Sequence, residues 1–446
     1  MLTTVILIQL VIVLSLIFIG AGVGGIGLGI YGMVGVFILV FIFGMRPGSI
    51  PIDVMLIIAS VITATAALQA SGGLEYMVDL ASKFLRKHPT HISYYGPLVT
   101  WLFTLLAGTA HTSYSLLPII AEISKNSGIR PERPMSVATI AASLGITGSP
   151  MSAATAAVIS SELLGGQGVE LTDILIICIP ASLIAILVAA FVQNHVGKEL
   201  KDDPEYQRRV REGLVKPADE TQVKLEQPIN PRAKWSVLAF LLGVILVVLF
   251  GSIPALRPSF EVDGVMKPLS MPETIEIVMM SIAALILLVG KASVKDAVNG
   301  NIFAAGMNAM ISIFGIAWMG DTFFNGNLDF FKAHIADIVA QYPFLFTVAL
   351  FIMSIMLFSQ AATVGTLFPL GIGLGIPQLA LVAMFPAVNG YFFIPNYPTE
   401  VAAINFDTTG TTRIGRYVLN HSFQLAGFIT TFVSIGVGYL IISLVY

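Results

Sequence analysis

Long apolar runs alternate with short polar interruptions along this chain, and the interruptions recur at matched places in two halves. A helix needs about 20 apolar residues to cross the hydrocarbon core of a bilayer. By that measure the first half has spans near 3–20, 24–44, 54–70 and 172–193, and the second near 234–251, 273–290, 299–320 and 421–444. Between the third and last span of each half lie an amphipathic piece (74–88 and 328–340), a hairpin and an interrupted helix. The hairpin arms are 93–108 with 114–126, and 343–358 with 364–375. The interrupted helices cover 134–163, broken at Thr147-Gly148-Ser149-Pro150, and 378–404, broken at Pro395-Asn396-Tyr397-Pro398. Irregular polar backbone is tolerated at membrane depth only inside protein or beside water, so the hairpins are expected to re-enter rather than cross.

The two hairpin tips superpose residue by residue. Thr112 meets Thr363, Ser115 meets Thr366, Leu116 meets Leu367 and Pro118 meets Pro369, each pair 251 positions apart. Pro150 and Pro398 are 248 apart. The expected fold is therefore an all-α, polytopic membrane protein with two repeats, 1–193 and 234–446, joined by the hydrophilic linker 194–233. Five crossings plus one re-entrant hairpin in each repeat make the repeats inverted.

Composition agrees. Only 11% of the 446 residues are charged, against about 25% in soluble domains, and the mean hydropathy is +0.87. Charge placement then orients the chain. Of 23 Lys and Arg residues, 19 fall in the loops 74–92, 125–134, 194–234, 291–298 and 408–420. The opposite side keeps only Arg46, Arg257, Lys267 and Lys332. The positive-inside rule puts the linker in the cytoplasm and both termini outside. No charged stretch and no small-residue cleavage site flank the first apolar run, which reads as a retained span. The single Cys178 excludes an intramolecular disulfide.

Gly22-Val23-Gly24-Gly25-Ile26-Gly27 fits the dinucleotide pattern G-x-G-x-x-G, but an apolar helix precedes it where a strand is required. Close helix packing explains these glycines better. Neither a nucleophile with its base nor a phosphate loop is visible, so an enzyme is not expected. Neither is a nucleic-acid partner, a metal or a cofactor, apart from a transported or coupling Na+ or H+. The breaks carry the chemistry instead. Half-helix N-termini carry partial positive charge and suit carboxylates. Thr109, His111, Thr112, Ser113, Ser149, Pro150 and Ser152 from one half form, with Ser359, Gln360, Thr363, Asn396, Tyr397, Pro398 and Thr399 from the other, a candidate substrate cup. Hydroxyls in such places also back-bond to nearby helix carbonyls, and that alternative stays open for each. His111 and Glu400, ionisable at membrane depth, are the candidate coupling residues. Asp53, Asp173 and Asp321 read as solvated caps near the interfaces.

Several motifs in order resemble one family. They are Gln69-Ala70-x-Gly72-Gly73-Leu74, Gly108-Thr109 with Leu117-Pro118, Arg130-Pro131-x-Arg133-Pro134 and Ser149-Pro150, then Ala317-Trp318-Met319, Ser359-Gln360-Ala361-Ala362, Pro395-x-Tyr397-Pro398 and Phe406-Asp407-x-x-Gly410-Thr411-Thr412. From end to end the chain is similar to the anaerobic four-carbon dicarboxylate (Dcu) transporters, with Gly320 to Phe323 nearer the constitutive branch. The resemblance implies exchange of fumarate, succinate, malate and aspartate by antiport across a bacterial inner membrane, which would make the outer side, with both termini, the periplasm. It also implies, through the larger ion-transporter group, elevator motion of a hairpin-bearing domain against a dimeric scaffold. Two positions depart from the pattern: Ala110 stands where Gly is expected, and Asn396 where Thr is. The rival readings are a Na+- or H+-coupled dicarboxylate symporter, an anion channel and an intramembrane enzyme. The orientation is open to a direct test. Cysteines placed in the 194–233 linker of a Cys178→Ser variant should resist membrane-impermeant thiol reagents in intact cells, and ready labelling would reverse the topology.

Overall fold

A computed structural model of the chain describes residues 2–215, 230–262, 265–331, 333, 341–342, 344–357, 359–395, 397–415 and 420–446. Asn396, most of the amphipathic piece at 328–340 and part of the linker lie outside the described residues. The first half runs α1 (Leu2–Val23), α2 (Gly27–Phe37, continued by a π-helical turn Ile38–Ile42), α3 (Ile52–Ala70) and the surface helix α4 (Gly73–Lys87). The hairpin α5 (Ile92–Ala107) and α6 (Ser113–Asn126), the broken helix α7 (Glu132–Thr147) and α8 (Ala153–Val158), and α9 (Leu171–Gln193) follow. A short linker helix α10 (Pro204–Arg211) leads to α11 (Ala233–Ser252), the antiparallel strands β1 (Ser259–Val262) and β2 (Val265–Pro268), α12 (Met271–Gly290), α13 (Val294–Asn299) and α14 (Asn301–Gly326). The chain ends with the hairpin α15 (Phe344–Leu357) and α16 (Gln360–Gly373), the broken α17 (Gln378–Met384) and α18 (Pro398–Phe406), and α19 (Gln424–Val445).

Among the described residues, six helices are long and apolar enough to cross a membrane: α3, α9, α11, α12, α14 and Phe423–Val445. The apolar stretches Thr4–Gly20, Gly27–Ile42 and Phe344–Leu357 are shorter. Two elements differ from the sequence pattern. The interrupted helix expected over 134–163 ends at Val158, and the segment between α17 and α18 is a 3-10 run, Phe385–Phe393, rather than α-helix. Pro386 near the start of that run lacks the N–H an α-helix needs, and the run bends at Asn389.

The helices sort into two groups by packing. In one, here called the panel, α2 lies on α14 and α1, α3 on α12 and α14, and α11 on α12. In the other, the bundle, α5 lies on α7, α15 on the 3-10 run and α19 on α9. The panel depends on glycine. A methyl group added to Gly315 would sit 1.9 Å from the Gly29 carbonyl oxygen, and one on Gly29 would sit 2.1 Å from the Ile311 oxygen. Backbones that close gain the dispersion contacts on which helix association in lipid rests.

Hydrogen bonds fix which panel ends lie together. The linker's Asn230 Nδ2 donates to the carbonyls of Ser71 and Gly290, 3.2 Å each. Gln69 Nε2 donates to Asn301 Oδ1 at 2.5 Å. The C-terminal ends of α3 and α12 and the starts of α11 and α14 thus share the linker side. At the far ends Asp321 is no solvated cap. It is buried, its Oδ2 accepts the Ser49 N–H at 2.6 Å and its Oδ1 accepts Asn325 Nδ2 at 2.6 Å. Trp318 Nε1 also donates to Gly48 O at 2.9 Å, so the 48–49 loop is stitched onto α14.

On the linker side, buried Arg130 joins Asp203 and Glu132, and Arg209 donates to Thr408 O at 3.0 Å. Ser422 Oγ donates to Glu132 Oε1 at 2.7 Å. Burial alone would raise the Asp203 carboxyl, but the N–H groups of Tyr206 and Glu205 and the Arg130 guanidinium outweigh it and hold it below the usual carboxylate range. The start of the linker is therefore clamped to the bundle, across both halves. The glycine crossing supplies the stability prediction. Gly315→Val should sharply reduce the yield of folded protein by gel filtration, whereas Gly22→Ala, with nothing within 4 Å of the added methyl, should not.

Candidate functional site

Each break starts a helix. In the first hairpin Gly108 closes α5 with φ +69°, a value glycine adopts without strain. A methyl group there would lie 2.3 Å from the Met151 carbonyl oxygen, so the tip abuts the break of the α7–α8 helix. Thr109 then caps the new start, its side chain accepting the His111 N–H at 3.3 Å, and a 3-10 turn Ala110–Thr112 leads into α6. In the second hairpin Ser359 caps α16 by accepting the Ala362 N–H at 3.2 Å. Ser152 caps α8, accepting the Thr155 N–H at 3.0 Å. Tyr397 stands at the N-cap of α18, which opens with Pro398 where no N–H is required.

These four starts meet at one cavity of about 480 Å³. Its bundle wall comprises Ala107 to His111, Ile146, Met151, Ala153 and Ala154, Ser359 to Ala361, and Tyr397 with Pro398. Its panel wall comprises residues from the α1–α2 turn, α3 and α14, and is apolar except for Thr65, Asn308 and Ser312. No Lys, Arg, Asp or Glu is among the described residues of either wall. The panel residues come from the C-terminal part of α3 and the N-terminal part of α14, so the cavity lies against the linker-side portion of the panel.

Of the candidate residues, Thr109, His111, Ser359, Gln360, Tyr397 and Pro398 line this cavity. Thr112, Ser113, Ser149, Pro150, Ser152, Thr363, Thr399 and Glu400 lie behind its wall, and Asn396 is outside the described residues. Several of the set-back hydroxyls are tied to carbonyls. Thr112 donates to Thr109 O at 3.2 Å and Thr363 to Ser359 O at 2.7 Å, so both bond the carbonyl of their capping residue. Ser113 donates to Ala110 O at 2.7 Å. Ser149 Oγ donates to Leu105 O at 2.6 Å and accepts the Met151 N–H at 3.1 Å, which binds hairpin to broken helix.

Gln360 joins the halves. Its Nε2 donates to Ser143 O on α7 at 2.8 Å and also to Asn389 Oδ1 in the 3-10 run. The His111 ring stacks on Tyr114 at 5.7 Å, and Tyr391 stacks on Tyr397 at 4.3 Å. Behind them Glu400 is 1% exposed, with Oε2 lacking a hydrogen-bond partner among the described residues, as does Thr399 Oγ1. Asn308, Thr65 and Ser312 went unnoticed in the sequence, although an amide inside the apolar span at 299–320 was visible.

A family model described as an anaerobic C4-dicarboxylate membrane transporter matches residues 5–446. The chain belongs to that family. Its relatives include proteins named C4-dicarboxylate transporter DcuA. That of Wolinella succinogenes is 41% identical over 434 residues, covering 97% of this chain and 98% of its own length. That of Escherichia coli K12 is 42% identical over 436 residues, with the same coverage. An anaerobic C4-dicarboxylate transporter DcuB of Escherichia coli O6:H1 is 40% identical over 439 residues, covering 97% of each. Among solved structures, Neisseria gonorrhoeae MtrF, of a class of antimetabolite efflux pumps, superposes with a TM-score of 0.55 at 14% identity, over 91% of this chain and 84% of its own. That likeness concerns fold alone. The chain is thus a multi-pass membrane transporter, not an enzyme.

The Gln360 bridge yields a test. Gln360→Leu leaves Ser143 O and Asn389 Oδ1 without their buried donor, at about 1–3 kcal/mol each. The variant should melt several degrees lower in detergent than the wild type, and an unchanged melting temperature would mean the bridge does not hold the halves together.

Proposed function

We propose that this protein exchanges C4-dicarboxylates, among them fumarate, succinate, malate and aspartate, across the bacterial inner membrane by antiport. One observation carries the reading: four helix starts converge on a cavity that has no charged side chain among its described residues. A helix start carries partial positive charge, worth up to about 2 kcal/mol to an anion in a partly buried setting. The starts come from both halves of the chain, which suits a ligand with a carboxylate at each end. The names of the relatives, C4-dicarboxylate transporters over nearly their whole length, support the same substrate class.

The two halves act as inverted repeats. Reciprocal packing supports this: the second span of the first half lies on the third of the other, the third lies on the second, and the last spans lie on each other. Movement is of the elevator kind, with the bundle carrying the site along the panel. The unlike walls favour it, because helix starts line one side and a largely apolar surface lines the other. With the linker in the cytoplasm and both termini periplasmic, the cavity faces inward in this state.

Cation-coupled symport is the second reading, favoured by one observation. Glu400 is buried without a basic partner among the described residues and has one carboxyl oxygen unpaired. An unpaired buried charge is costly, so Glu400 would exchange a cation or proton, with His111 in the cavity wall as the other candidate.

One experiment separates these. Labelled succinate is offered to proteoliposomes preloaded with fumarate or with buffer, with and without a Na+ or proton gradient. Antiport requires internal fumarate; uptake into empty vesicles driven by a gradient would transfer the proposal to symport. Butyrate, with one carboxylate, should compete at least about tenfold worse than fumarate, about 1.4 kcal/mol. Equal competition by butyrate would remove the two-ended site.

A further inference from the structure

The panel wall of the cavity has a single unengaged polar group, and we infer that it, Asn308, reads a hydroxyl or amino substituent on C2 of the transported dicarboxylate. This rests on the reading of the cavity as a C4-dicarboxylate site. With both carboxylates drawn to the helix starts of the bundle wall, the ligand's C2–C3 segment faces the panel. There Leu28, Ile58, Val61, Ile62, Ala305 and Ala309 suit a methylene pair or an alkene. A hydroxyl or ammonium on C2 would leave water and find no partner on those residues.

The other two polar side chains of that wall are occupied. Thr65 Oγ1 donates to Val61 O at 2.9 Å, and Ser312 Oγ donates to Gly25 O at 3.4 Å. Asn308 makes no hydrogen bond among the described residues and is exposed to the cavity. Its carboxamide has both an acceptor and two donors, so it matches an ammonium, which only donates, and a hydroxyl, which does both.

Its position is fixed from either side on α14. A methyl group on Gly306 would lie 1.9 Å from Ile62 Cδ1, and Gly315 is pressed on Gly29. Neither neighbour leaves room for α14 to shift, so the amide sits at a set height on the wall. A fixed donor–acceptor pair discriminates where a flexible one adapts, because a substrate lacking the matching group leaves it unpaired.

Counterflow in proteoliposomes tests the assignment with the full chain. Vesicles loaded with labelled succinate are exposed to unlabelled succinate, fumarate, L-malate or L-aspartate, for the wild type, Asn308→Ala and Asn308→Ser. Loss of one hydrogen bond should raise the half-maximal concentrations of L-malate and L-aspartate about tenfold in Asn308→Ala, while those of succinate and fumarate stay within about twofold. Asn308→Ser, which keeps a short donor and acceptor, should recover part of the loss. A shift of the same factor for all four substrates, or for none, overturns the assignment while leaving dicarboxylate exchange standing. Failure of the wild type to exchange succinate for fumarate would instead remove the reading beneath it. A merely structural role for Asn308 would alter melting and overall rate but not the ratio of malate to succinate.

Discussion

The constraint on which this structure depends is the cost of exposed backbone N–H and C=O groups inside a membrane. Every break in a membrane helix frees such groups, and hydrocarbon offers them no partner. Here the breaks are stacked against one another, so that each is sealed by protein. Gly108 fits against the Met151 carbonyl because it has no side chain. Ser149 bridges Leu105 O and Met151 N across the same contact. Gln360 spans from one half to the other. What lies at the cavity are the starts of the helices themselves, with the partial positive charge that a helix N-terminus carries.

That division of labour explains both what was legible in the sequence and what was not. Apolar run length located most helices to within a few residues, because hydrocarbon thickness fixes it. The matched tips were legible too: Thr112 and Thr363, 251 apart, both donate to the carbonyl of a capping residue. Yet the capping residues themselves, Thr109 and Ser359, are 250 apart, because the 3-10 turn Ala110–Thr112 of the first tip has no counterpart at the start of α16. Residue type alone could not say which hydroxyl points into space and which into a carbonyl. Ser149 and Thr363 look like ligands in a list of polar residues, and their geometry makes them fastenings. Asp321 misled for a similar reason, since a carboxylate at a predicted helix end reads as exposed until the 48–49 loop folds over it. The 3-10 run at Phe385–Phe393 reads as helix by apolar content, although Pro386 near its start already argues against an uninterrupted α-helix.

The proposed anion site, with no lysine or arginine among its described residues, has a kinetic consequence. A fixed guanidinium at the cavity would bind a carboxylate strongly in the dry interior and remain there, a buried charge of its own, once the ligand left. Losing the partner of a buried charge costs about 3–5 kcal/mol, so such a site would resist emptying. Helix starts are dipoles that water also satisfies, and their empty state carries no net charge. A carrier must release its substrate as readily as it takes it up, and dipolar recognition suits that need.

The two walls of the cavity answer different mechanical demands. In the bundle, hydrogen bonds fasten the breaks to one another and give the site its shape. In the panel, glycines at Gly29, Gly306 and Gly315 let helices approach until backbone meets backbone or side chain, which stiffens the wall. The hydroxyls of Thr65 and Ser312 on that wall are bonded to carbonyls. Asn308 breaks the pattern. Its carboxamide is exposed to the cavity, so it is met there by water or by whatever the cavity holds.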